Sequence, residues 1–151
     1  MSLFFNTLQD FERKHEGIDE TLLEAKIVSE ALVSKGTPPD WNLNNLIKPG
    51  LIKENKIIDE KKIRLFYSIS KTDYELLRSS FGIHSDFAIY LIDSEDNPIE
   101  INGKYVASLP QVNFKSQTIN ISHQDIENLA RIQRAVLYRG EPARMVVLTW
   151  R

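Results

Sequence analysis

The feature that most limits what this chain can fold into is a single apolar stripe. Phe4, Leu8, Phe11, His15, Ile18, Leu22, Ala25, Ser29 and Leu32 follow one another at spacings of four and three residues without a break. That alternation traces one face of an α-helix. It crosses Gly17 in phase, and a glycine inside a helix costs only about 1 kcal/mol relative to alanine. The stripe therefore predicts one long N-terminal helix over residues 4–34, with a bend at Gly17. Two helices broken at His15–Asp19, the second capped by Asp19, are the alternative. Before Gly17 only the narrow stripe and Phe5 are apolar, whereas Leu23, Ile27, Val28, Ala31 and Val33 broaden it afterwards. A broad face suits packing on a core and a narrow one suits a stalk or a partner. About 30 residues at about 1.5 Å each would span roughly 45 Å, so Phe4, Leu8 and Phe11 are the expected helix interface.

The helix has to stop at "SKGTPPDWN". Gly36 suits a C-terminal cap, Lys35 complements the negative end of the helix dipole, and Pro38 and Pro39 bar another turn. Trp41 offers a large surface for pinning the exit against the core. Gly36, Pro38, Pro39 and Trp41 are thus expected to form a structural anchor, with Trp41 buried. The segment 42–56 reads as loop with one short edge strand and a small hairpin at Glu54–Lys56.

From Asp59, a candidate N-cap, helical spacing returns through Ile63, Phe66, Tyr67, Tyr74, Leu77 and Phe81. A capping-box pattern over Thr72–Glu75 predicts two helices within 59–81 that break near Ser70, with Gly82 as terminator. Asp86–Asp93 reads as a central strand, Ser94–Asn97 as a turn, Ile99–Ile101 as a short strand and Asn102-Gly103 as a hairpin turn. Residues 106–121 suggest irregular structure with one short strand, and Ser122–Asp125 a helical turn. The last segments pair as an antiparallel hairpin joined at Gly140-Glu141-Pro142. The sum is one α+β domain over 1–151: a long helix on an antiparallel sheet that occupies 86–150, with a second helical segment.

Chemistry leaves few marks on the sequence. His15, His84 and His123 lie far apart, none with a second ligand at metal-site spacing, so structural roles are expected for all three. Asp93, Glu95 and Asn97 imitate the start of a calcium loop, but Pro98 and Lys104 occupy the positions that need Gly and an acid. No nucleophile-elbow motif occurs, and the six glycines are scattered singly rather than gathered into a phosphate-binding loop. Arg131, Arg134, Arg139 and Arg144 could gather beside Tyr138 and Trp150, although a solvated sheet face with acidic neighbours accounts for them better. Asn120 heads a glycosylation acceptor pattern that matters only in an exported chain. Nineteen basic against 21 acidic residues, net charge −2, give no field for nucleic acid or for anionic lipid. The absence of cysteine excludes disulfides, thiolate zinc sites and a cysteine nucleophile. No cofactor or metal is expected.

Several segments together carry a family likeness. A long helix ending in "ALVSKGTPPDWN", then "KPGLI", "IDEKKIRLFYSI" leading into "DYELLRSSFGI", the strand "SDFAIYL" and the closing "RAVLYRGEPARMVVLTWR" resemble archaeal type IV pilin-like proteins made with a class III signal peptide. The resemblance covers nearly the whole chain through turn and helix words rather than a catalytic motif. It implies a non-enzymatic cell-surface protein, a minor pilin or a membrane-anchored subunit of a surface assembly. Such a protein meets other pilin-like subunits, or itself, through the N-terminal helix. It also implies an extracellular head, here without the leader and apolar anchor that the family carries before such a helix. An intracellular α+β binding module dimerising through the same helix is the alternative, and a small hydrolase with an acid-based site is the third reading.

Overall fold

The structure, a computed structural model, describes residues 20–109, 113–115, 118–120 and 128–151. Helix α1 covers 20–32 of these. The candidate interface residues Phe4, Leu8 and Phe11, the bend at Gly17, His15 and His123 lie outside the described residues, as does the helical turn expected at Ser122–Asp125. Of the long helix expected over 4–34, the structure shows a helix over 20–32 alone, and residues 4–19 are outside the described residues.

After α1 the chain forms β1 (Ile52–Glu54), β2 (Ile57–Ile58), α2 (Glu60–Thr72), α3 (Tyr74–Phe81) and β3 (Asp86–Asp93). It continues through β4 (Ala107–Ser108), β5 (Asn113–Lys115), β6 (Thr118–Asn120), β7 (Leu129–Tyr138) and β8 (Glu141–Trp150). Six strands make one sheet in the order β1-β2-β7-β8-β3-β4, and β5 pairs with β6 separately. The sheet is mixed rather than antiparallel throughout, because β2 joins β7 in parallel at Ile57 and Leu137. The β1–β2 hairpin, whose start is bonded to the end of α1 through the Leu51 and Ile52 N–H groups, reaches the edge of β7 through the bond from the Leu137 N–H to the Lys56 carbonyl at 2.9 Å.

Register decides which side chains meet the helices. Phe87, Ile89 and Leu91 of β3 face the same side as Met145 and Val147 of β8, because Ile89 pairs with Val147 and Leu91 with Met145. These join Ala25, Val28 and Leu32 of α1, Ile63 and Phe66 of α2, and Leu77 and Phe81 of α3 in one core. Phe87 stacks on Tyr74 at 4.8 Å and meets the edge of Phe81 at 5.4 Å, geometries that add to simple area burial. Ala88, Ile92, Val146, Leu148 and Trp150 form a second cluster on the opposite face. Both faces of β3 and β8 are therefore buried, as an uninterrupted apolar run requires.

Several expectations need correction. Leu23, read as part of the broadened face of α1, is 58% exposed. The break between α2 and α3 falls at Asp73 rather than Ser70, and the cap is Asp73 rather than Thr72, its side chain accepting from the Leu76 N–H. Ser70 stays helical because it is buried, its hydroxyl bonded to the Tyr67 carbonyl. Ile99–Ile101 is not a strand: Asn102 and Gly103 do turn with positive φ, but only the isolated bridge between Ile101 and Lys104 closes it. Among the described residues of 106–121 there are three short strands instead of one: β4, which pairs with β3, and β5 and β6, which pair with each other. The C-terminal hairpin turns at Arg139-Gly140, both at positive φ, and Pro142 already lies in β8 opposite Leu137. A two-residue turn of that hand matches the twist of its strands.

Candidate functional site

The site is built where α1 ends. Its last carbonyls are satisfied from a distant segment: the Leu51 N–H donates to the Leu32 carbonyl at 2.9 Å and the Ile52 N–H to that of Ser34 at 3.0 Å. Helix ends leave such acceptors open, and closing them with backbone donors ties β1 to α1. Gly36 adopts φ +88°, as its cap position predicts. Gly50 lies against it so closely that a Cβ on Gly50 would sit 2.2 Å from the Gly36 nitrogen. Trp41 closes the arrangement. Only 3% exposed, it donates its indole N–H to the Gly50 carbonyl at 2.8 Å, and its own N–H bonds the Pro38 carbonyl at 3.0 Å. Pro38 follows a cis peptide bond and is half-buried, while Pro39 is exposed.

Beside this junction runs a groove of about 430 Å³. Pro39, Trp41 and Leu65 make its apolar walls, and Lys35, Lys53, Lys61 and Lys62 surround it. Asp40 and Asp59 are the carboxylates there. Asp59 is committed to capping α2, accepting from the Lys61 N–H at 2.9 Å and the Lys62 N–H at 3.3 Å. The Lys62 ammonium donates to the Lys35 carbonyl at 2.9 Å and to that of Ile52 at 3.4 Å, so it also serves the end of α1. Among the described residues no carboxylate forms an ion pair with any of the four lysines. The arginines behave otherwise: Arg64, Arg78, Arg139, Arg144 and Arg151 each hold an acid. A second cleft of about 400 Å³ shares Lys53, Asp59 and Lys61 and extends to Glu60 and Arg139. Burial would raise the pKa of Glu60, but hydrogen bonds from Arg139 and Tyr138 outweigh it and hold the carboxyl below its ordinary value.

The remaining candidates separate. Arg134 turns to the helix side and bonds the Ser29 hydroxyl, Arg139 pairs with Glu60 and stacks over Tyr138, and Arg144 pairs with Asp96. Trp150 is buried on the other face in a cluster with Leu148, opposite which Arg131 stands in β7, so the four arginines do not gather into one patch beside Tyr138 and Trp150. Asp93, Glu95 and Asn97 make a turn in which the Asp93 carboxylate accepts from the Glu95 and Asn97 N–H groups, both at 2.9 Å. His84 is exposed, and the described residues contain no group of three potential metal ligands. Asn120 belongs to β6.

Two kinds of residue escaped the sequence. Glu24 is buried and accepts from the His84 and Ser85 N–H groups at 2.8 and 2.9 Å and from Arg151 at 3.1 Å. Its place one turn from Thr21 and Val28, both buried, was the available signal. Lys53 and Lys61 carried none, because lysines scattered along a chain converge only after folding. Comparison with known protein families, with curated proteins and with solved structures finds no match.

Proposed function

We propose that this chain is the head of a non-enzymatic, pilin-like cell-surface subunit, a minor pilin or membrane-anchored component of a surface assembly. The observation that supports it most is how α1 is held. Ala25, Val28 and Leu32 lie in the core beneath the sheet. Polar contacts fix the helix along its length: Thr149 Oγ1 to the Thr21 carbonyl at 2.6 Å, Arg134 to Ser29 at 3.2 Å, and Arg151 to Glu20 at 2.7 Å. A helix clamped lengthwise and locked at its exit transmits its position rigidly to the head, which is what a filament or anchor element requires of its outlet.

The test is where the native gene product resides. Cells producing it are separated into cytosol, membrane and sheared surface material, and the mature N-terminus is sequenced. The reading expects membrane or surface material and a processed N-terminus. Recovery of unprocessed protein in the cytosol overturns it in favour of an intracellular module.

A further inference from the structure

The exit of α1 continues into a loop that displays apolar side chains rather than hiding them. Leu43 is 53% and Ile47 66% exposed, and both follow closely on Trp41 and Asn42, which line the groove. The loop is stiffened from within. Asn42 N–H donates to the Asn45 side chain at 2.6 Å, Asn44 N–H to the Asn42 side chain at 2.8 Å, and Ile47 and Lys48 N–H groups both to the Thr37 carbonyl at 3.0 Å. Exposed aliphatic groups on a pre-ordered loop lose little entropy when covered. The groove that Trp41 and Asn42 line at the start of this loop has apolar walls and four ammonium groups without carboxylate partners among the described residues.

We infer that this groove and loop form a docking surface for an acidic polypeptide segment of a partner protein that carries apolar side chains between its carboxylates. Charge complementarity selects the acid, and the walls of Trp41, Pro39 and Leu65 together with Leu43 and Ile47 select the apolar groups. A concave groove of about 430 Å³ receives side chains but not a flat bilayer. Asp40 and Asp59 interrupt the lysines around the groove, which suits carboxylates spaced by neutral side chains rather than the unbroken charge of a polyphosphate, and Asp40 can accept hydrogen bonds from a peptide backbone. Lysine supplies point charges suited to carboxylates in varied orientations rather than the fixed fork of arginine. The inference goes beyond the pilin-like reading and holds whether or not the chain is anchored.

The experiment uses the purified chain and a fluorescein-labelled peptide of repeated Glu-Glu-Leu-Glu-Glu-Phe units, followed by fluorescence anisotropy at low and at physiological salt. Polyglutamate, an oligothymidylate and phosphatidylglycerol vesicles serve as competing probes. The peptide is expected to bind more tightly than any of the three. Lys53→Glu with Lys61→Glu should weaken it at least about tenfold, and Leu43→Ser with Ile47→Ser about fivefold. All four side chains are exposed, so the thermal midpoints of both variants should match the parent and separate lost binding from lost folding. Equal peptide binding by parent and lysine variant overturns the inference, as does no binding by the parent. Tighter binding of oligonucleotide or vesicles overturns the choice of partner.

Discussion

Gly50 shows how one residue can be fixed by a segment remote from it in sequence. A Cβ there would stand 2.2 Å from the Gly36 nitrogen and 2.4 Å from the Ser34 carbonyl oxygen, both backbone atoms that cannot swing aside. Gly50→Ala is expected to destabilise the domain by about 3 kcal/mol or more, in the range of severe overpacking. Urea unfolding of the variant checks it, and an unchanged midpoint would mean that the two backbone segments separate freely. Gly36 could be read from the sequence because helix caps have a local signature, and Trp41 because a large aromatic beside two prolines needs cover. Gly50 could not, since its requirement is set by a neighbouring backbone. Tyr67 marks the opposite case: its hydroxyl is buried without a partner among the described residues, and burial pushes its phenol upward. Only the aromatic ring of that residue was legible, through helical spacing.

At the scale of elements, α2 and α3 meet at a shared residue. The Asp73 N–H closes α2 onto the Ile69 carbonyl while its carboxylate accepts from the Leu76 N–H and opens α3. Asp73→Ala should therefore cost about 1 kcal/mol, the usual worth of an N-cap. Thr72→Ala at the neighbouring exposed position should stay within about 0.5 kcal/mol. Chemical denaturation of the two variants distinguishes the caps; equal losses would restore Thr72 to the role its sequence pattern suggested. Both residues satisfied local rules, and the geometry of the bend selected between them. The C-terminal hairpin was legible for a simpler reason. Two ten-residue strands adjacent in the chain pair along their whole length, and only the turn position shifted, from Gly140-Glu141-Pro142 to Arg139-Gly140.

Across the whole molecule, Glu24 links α1 to the α3–β3 connection and to the C-terminal Arg151. Burial alone would raise its pKa, yet hydrogen bonds from His84 and Ser85 and the charge of Arg151 prevail and lower it below the ordinary 4.5. A carboxyl whose folded pKa is depressed contributes stability above its unfolded pKa and loses it as pH falls through the folded value. The parent should thus lose stability in acid below about pH 4.5. At neutral pH Glu24→Gln should be about 1–3 kcal/mol less stable, the worth of hydrogen bonds to a charged group. The gap should narrow on acidification, when the parent carboxyl also takes up a proton. Thermal melts from neutral to acidic pH measure this; a gap constant with pH would show that the charge is not what holds the junction.

By itself the sequence determined α2, α3, β3 and the closing β7–β8 hairpin in their order, because helical spacing, alternating apolar runs, caps and tight turns are local patterns with local causes; the strand it suggested at Ile99–Ile101 does not form, and within 106–121 it indicated one strand where three form. It placed the end of α1, the start of α2, the central strand β3 and the closing hairpin, and it identified Trp41 as an anchor. Only the tertiary structure decided the parallel contact of β2 with β7, the burial of Glu24, the apposition of Gly36 with Gly50 and the gathering of Lys35, Lys53, Lys61 and Lys62 around one groove. Each of those depends on distances between segments far apart in the chain, and such distances exist only once the core has fixed where every element lies.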